Sequence, residues 1–109
     1  MNIGELKKLL ENSTEENIIF DEPHISLRCK ENNITKEQII HVLLHEIGKL
    51  TNFIEDRPKV YKLYFKLSNK RQLKIIIDLI RPKKIMIRTI KMLDRKLYKK
   101  IRFIRRRRY

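Results

Sequence analysis

The 109-residue chain holds one cysteine, two glycines, three prolines and no tryptophan, and each shortage excludes something. A lone thiol, Cys29, rules out an intramolecular disulfide and fits a reducing compartment. So little glycine and proline leaves few sites for long irregular connections, and regular elements joined by short turns are expected. No apolar run approaches the ~18 residues of a membrane span, and the acidic N-terminus lacks the basic and apolar regions of a secretory signal. A cytoplasmic protein with no membrane partner is the expectation. Zinc-type cysteine spacing and internal repeats are also missing, so neither a metal nor a cofactor is expected. The length suits a single domain with a modest core.

Acid is scarce in one place above all. Between Arg81 and Tyr109 there are fourteen Lys/Arg and a single acid, Asp94, so 29 residues carry +13 of the total +14. The first 22 residues run the other way, with six acids against Lys7 and Lys8. Folding does not require such a separation, and self-repulsion makes it a mild cost to stability. A polyanion offsets that cost, which puts nucleic acid first among partners and anionic lipid second.

The hydrophobic pattern orders the chain. Ile3, Leu6, Leu9 and Leu10 predict a helix over residues 3–12 ended by Asn12-Ser13, and Ile18-Ile19-Phe20 is too short to be more than an extended stub. Asp21-Glu22-Pro23 reads as a helix start with proline in the first turn. Over His24–Asn32 the alternation of Ile25, Leu27 and Cys29 would also suit a strand. Helix is preferred because Asn32-Asn33 can end one in the left-handed region. Thr35-Lys36-Glu37-Gln38 matches the capping box, with Ile34 and Ile39 placed as its hydrophobic staple. That helix continues through Ile47, with Gly48 as its C-terminal cap.

Beyond Gly48 the period becomes strand-like. Residues 51–55, 60–67, 72–80 and 85–90 are apolar and β-branched runs whose short breaks join only antiparallel neighbours. The expected fold is therefore α+β, with N-terminal helices packed on a four-stranded antiparallel meander. Tyr61, Leu63, Phe65 and Leu67, with Leu73, Ile75, Ile77 and Leu79, form the face that buries against the helices. The other face carries Lys62, Tyr64, Lys66, Lys74, Asp78 and Arg88. Leu93, Leu97, Ile101 and Ile104 make a helical stripe among Lys/Arg, so residues 93–109 are expected to form a basic helix following a domain of residues 1–92.

The stretch from Pro23 to Thr35 (Pro23-His24-Ile25-Ser26-Leu27-Arg28 onward), with Ile87-Arg88-Thr89-Ile90, resembles a small prokaryotic domain family related to the RelE-like and BrnT-like toxins. That family falls within the wider group of barnase, EndoU, colicin-type tRNases and RelE. The likeness spans roughly residues 18–92 and is carried by a short, degenerate pattern: a histidine at a helix start, an arginine four residues later, and a threonine in the closing strand. Where the family often has a second arginine before the turn, this chain has Asn32. The resemblance implies a RelE-like domain, a toxin-type endoribonuclease, and an acidic antitoxin as a possible protein partner. The catalytic candidates it marks are His24, Arg28, Arg88 and Thr89.

The residues themselves allow that chemistry. Metal-free RNA cleavage needs a base for the 2′-hydroxyl proton, cations for the phosphate and an acid for the leaving oxygen. His24 has the right ordinary pKa, Arg28 shares its helical face, and Lys62, Lys66 and Arg88 are further cations. Tyr64 can stack a base. Lys74, Lys91, Arg95, Arg102, Arg105 and Arg106 complete the expected nucleic-acid contacts, with RNA ahead of DNA. His41 and His45, at i and i+4, lack the intervening glutamate of the zinc-protease pattern and read as solvent-edge residues. Three functions stand open on this reading: a metal-independent endoribonuclease, a non-catalytic nucleic-acid-binding protein, and an interaction module for an acidic protein.

Overall fold

A computed structural model describes residues 2–81 and 83–94, with the side chains of Arg81 and Asp94 outside the description. Helix α1 (Ile3–Glu11) starts at Asn2, whose side chain accepts the Glu5 N–H at 2.8 Å, and buries Leu6 and Leu10. A 3-10 turn (Glu15–Asn17) leads into strand β1 (Ile18–Phe20). Helices α2 (His24–Glu31) and α3 (Lys36–His45) follow, then a second 3-10 turn (Ile47–Lys49). Strands β2 (Leu50–Arg57), β3 (Val60–Lys66), β4 (Arg71–Arg81) and β5 (Lys84–Asp94) complete the described chain.

The sheet has five strands in the order β1-β5-β4-β3-β2 and is mixed, so the expected four-stranded antiparallel sheet is corrected. β2, β3, β4 and β5 pair antiparallel in succession. The additional strand is Ile18-Ile19-Phe20, which lies parallel to β5 with Ile18 opposite Ile85 and Phe20 opposite Ile87. Three residues suffice because they need only join an existing edge, whose backbone groups supply the partners.

The local signals explain the helices. Thr35 Oγ1 accepts the Gln38 N–H at 3.1 Å while the Gln38 side chain accepts the Thr35 N–H at 2.8 Å, closing the capping box. Between α2 and α3, Asn33 takes φ 52, a left-handed geometry that asparagine tolerates better than most residues. Two expectations fail. Pro23 is the residue before the first turn of α2 rather than within it, and the Asp21 carbonyl accepts the Ile25 N–H. Gly48 caps nothing: α3 ends at His45, and Gly48 sits inside the following turn without a positive φ. The 3-10 turn tightens the exit from the helix, so no left-handed residue is needed there.

One core lies between the helices and the inward face of the sheet. Leu6, Leu10, Ile25, Ile39 and Leu43 meet Leu63, Phe65, Leu73, Ile75, Ile77 and Ile87, all with no exposed surface. Each such side chain contributes roughly 1.5–3 kcal/mol relative to exposure. Leu67 and Leu79 pack at the periphery. The expected C-terminal helix lies outside the described residues, except that Leu93 and Asp94 belong to β5.

Candidate nucleic-acid interface

Helix α2 carries two stripes with different fates. Ile25 and Cys29, four residues apart, enter the core. His24, Arg28, Glu31 and Asn32, at i, i+4, i+7 and i+8, line a cavity of about 470 Å³ together with Lys74 and Ile76 of β4 and Thr89, Ile90 and Lys91 of β5. The helix reaches this position because β1 pairs with β5 only over Ile85–Ile87. Beyond that point Asn32 Oδ1 accepts the Met92 N–H at 2.9 Å, placing the end of α2 at β5.

The sheet supplies the opposite wall. Register aligns Tyr64, Lys74 and Lys91 as one cross-strand row, with Lys62, Ile76 and Thr89 as the next. Lys74 and Lys91 are thus directly opposite like charges, an arrangement that disfavours pairing. Among the described residues neither has a carboxylate within 4.0 Å. Desolvation pushes the Lys74 ammonium below the ordinary lysine pKa, and Lys62 and Lys91 push it further in the same direction.

A β-bulge decides the fate of the two closing-strand candidates. Ile76 faces Thr89 and Ile77 faces Ile87, so Arg88 is the extra residue. The bulge lets both Ile87 and Ile90 face the core, and it gives Thr89 and Lys91 the cleft positions. Arg88 does not line the cleft. Its Nε is buried without a hydrogen-bond partner, 3.6 Å from Asp78 Oδ2. Alternation from Ile85 and Ile87 puts Arg88 on the open face, where it meets Asp78; what alternation cannot anticipate is Thr89, which the bulge turns to that same face.

The remaining candidates divide. His24, Arg28, Thr89, Lys74 and Lys91 come together. Tyr64 is half-buried beside Lys74 but outside the cavity wall, Lys62 lies 3.7 Å from Asp56, and Lys66 sits exposed opposite Gln72. Arg95, Arg102, Arg105 and Arg106 fall outside the described residues. Sequence reasoning passed over Glu31 as a cleft residue, although the i+7 spacing from His24 signals it. Glu31 Oε2 accepts from Arg28 Nη1 at 2.9 Å, so helix and cation are tied within one turn.

Elsewhere, a second cavity of about 550 Å³ lies between α3 and the β3–β4 turn, lined by Ile34, Val42, Leu67 and Met92 with His41 and Glu46 among the polar residues. His41 is 3.4 Å from Glu46 and its ring is 5.6 Å from that of His45. No group of three or more His, Cys, Asp or Glu side chains among the described residues could hold a metal ion. Burial raises the pKa of the Cys29 thiol. Among the described residues no helix is long and apolar enough to cross a membrane. Comparison of the chain with protein-family models, curated proteins and solved structures gave no match.

Proposed function

We propose that the protein is RNA-directed, and that the cleft between α2 and the open sheet face is the site of a metal-independent endoribonuclease of toxin type. The observation that supports this reading is the meeting of His24 and Arg28 from α2 with Lys74, Thr89 and Lys91 from two strands around one cavity. On this reading the domain is RelE-like and cytoplasmic, and an acidic antitoxin would compete with RNA for the same cations.

The chemistry follows from the groups. A phosphodiester enters with its charge met by Arg28, Lys74 and Lys91, while the Thr89 hydroxyl donates to a phosphate oxygen. The 2′-oxygen attacks phosphorus, its proton passing to the Glu31 carboxylate. The bond from phosphorus to the 5′-oxygen breaks, and protonated His24 returns a proton to the leaving oxygen. The products are a 2′,3′-cyclic phosphate and a free 5′-hydroxyl. Tyr64, beside Lys74 in the same row, offers a ring to a neighbouring base.

A second reading has its own observation. Glu31 is already engaged by the Arg28 guanidinium at 2.9 Å, which weakens it as a base and favours a cleft whose lysines bind phosphate without cleaving it. Labelled RNA incubated in EDTA with wild type and His24→Ala separates the two. Cleavage by wild type that is lost in the variant is the expected result. Salt-sensitive binding by both proteins with cleavage by neither replaces the enzyme with a non-catalytic RNA-binding protein.

A further inference from the structure

We infer that Asn32 is the positioning residue of the cleft, holding α2 against β5 at the separation at which both walls reach one phosphate; the inference rests on the cleft being the RNA site. Both ends of its carboxamide are used. Oδ1 accepts the Met92 N–H at 2.9 Å, and Nδ2 donates to the Arg28 carbonyl at 2.8 Å. The Arg28 carbonyl also accepts the backbone N–H of Asn32 at 3.0 Å, so the last turn of α2 is closed on the same residue that reaches the strand.

The requirement at this position is specific. Met92 presents a donor and Arg28 a carbonyl acceptor, so the side chain must accept at one atom and donate at another. A carboxamide of this length does both. Aspartate would set a negative charge against the Arg28 carbonyl, and arginine or lysine would bring donors alone to the Met92 N–H. Met92 lies beyond the stretch of β5 that β1 covers, so its N–H is a strand-edge donor that Asn32 satisfies.

Placement turns this bond into a functional device. Arg28 and Glu31 precede Asn32 on the helix wall, and Thr89 and Lys91 precede Met92 on the strand wall. Among the described residues, the Asn32–Met92 bond is the one side-chain hydrogen bond that ties the end of α2 to the strand carrying Lys91. Without it α2 retains its core stripe, Ile25 and Cys29, but loses the register of its cleft stripe. Misplacement by ~1 Å is enough to degrade a two-walled site about a hundredfold where chemistry is concerned.

The test uses Asn32→Leu, which keeps size and charge while removing both hydrogen bonds, and Asn32→Ala as a second variant. Affinity for a single-stranded RNA oligomer is measured from low to moderate salt. Ile39→Val, in the α3 core and outside both cavities, serves as a control for lost stability. Amide exchange at Met92 reports the bond directly. The expected result is roughly tenfold weaker binding by both Asn32 variants and a salt slope shallower by about 0.7, one phosphate contact on a single strand. Ile39→Val should keep the wild-type affinity and slope, and Met92 exchange should accelerate more in the Asn32 variants than in Ile39→Val. Asn32 variants that bind like wild type, or that lose no more than Ile39→Val, overturn the positioning role alone. A wild-type protein without salt-sensitive RNA binding overturns the site and the positioning role together.

Discussion

The two faces of β4 differ in what they ask of their surroundings. Leu73, Ile75 and Ile77 have no exposed surface and are satisfied within the molecule by the helices. On the opposite face Lys74 lies desolvated between Lys62 and Lys91, with no carboxylate within 4.0 Å among the described residues. The first face is stabilised by what the chain itself provides. The second is arranged against its own stability, and an external anion would relieve it. Residues on one face should therefore govern folding and residues on the other should govern binding.

The strongest way to break that division is through the covered face. Ile75→Ala should cost about 2–5 kcal/mol of unfolding free energy in a urea titration, because a fully buried side chain leaves a cavity. Binding per folded molecule should hold.

The open face should give the converse. Lys74→Ala combined with Lys91→Ala should weaken RNA binding roughly tenfold at low salt and flatten the salt slope by about 0.7 per lysine. Unfolding free energy should stay level or rise by up to ~1 kcal/mol as an opposed like-charge pair is removed. The pH dependence sharpens the contrast. The Lys74 pKa is lowered in the folded state, so the unfolded chain binds more protons between the two pKa values. Its contribution to stability should therefore improve as pH climbs toward the ordinary lysine value of about 10.4, while RNA binding declines over the same range.

Smaller effects concern how the helices are seated. Thr35→Ala removes an acceptor of the capping box and should cost about 1 kcal/mol in thermal or denaturant unfolding, with RNA affinity unchanged. Glu22 pairs with Lys36 and accepts from Ser26 Oγ at 2.6 Å; these hydrogen bonds hold its carboxyl below the ordinary range. A lowered carboxyl favours folding above the unfolded pKa and loses that contribution as pH falls through the folded one. The small difference in melting temperature between wild type and Glu22→Gln should therefore close below about pH 4.

How far the sequence foretold this molecule depends on the range of each signal. The capping box at Thr35 and the alternation of Tyr61, Leu63 and Phe65 are local, and both appear where the spacing placed them. Ile18-Ile19-Phe20 was legible as extended chain but not as a parallel strand, because its partner is nearly 70 residues away and three residues carry no period. Arg88 stands on the open face as alternation placed it but is taken up by Asp78, whereas Thr89 reaches that face through a bulge that no glycine marks. Gly48 misled in the other direction, since a glycine after a helix suggests a left-handed cap that a 3-10 turn made unnecessary. The cleft was half legible. His24 and Arg28 share a helical face by spacing alone, whereas Lys74, Thr89 and Lys91 join them only through strand register. Asn32 stood out in sequence as a departure from a resembled pattern, and its hydrogen bonds to Met92 and Arg28 give it a structural reason.

The most direct measurement is the affinity of the full chain for a single-stranded RNA oligomer across a series of salt concentrations, with Lys74→Ala/Lys91→Ala beside wild type. Wild type should give a linear fall of log affinity with log salt, and the double variant a weaker and distinctly shallower line. Absence of measurable binding, or two lines of equal slope, would contradict an open sheet face built to hold a phosphodiester chain.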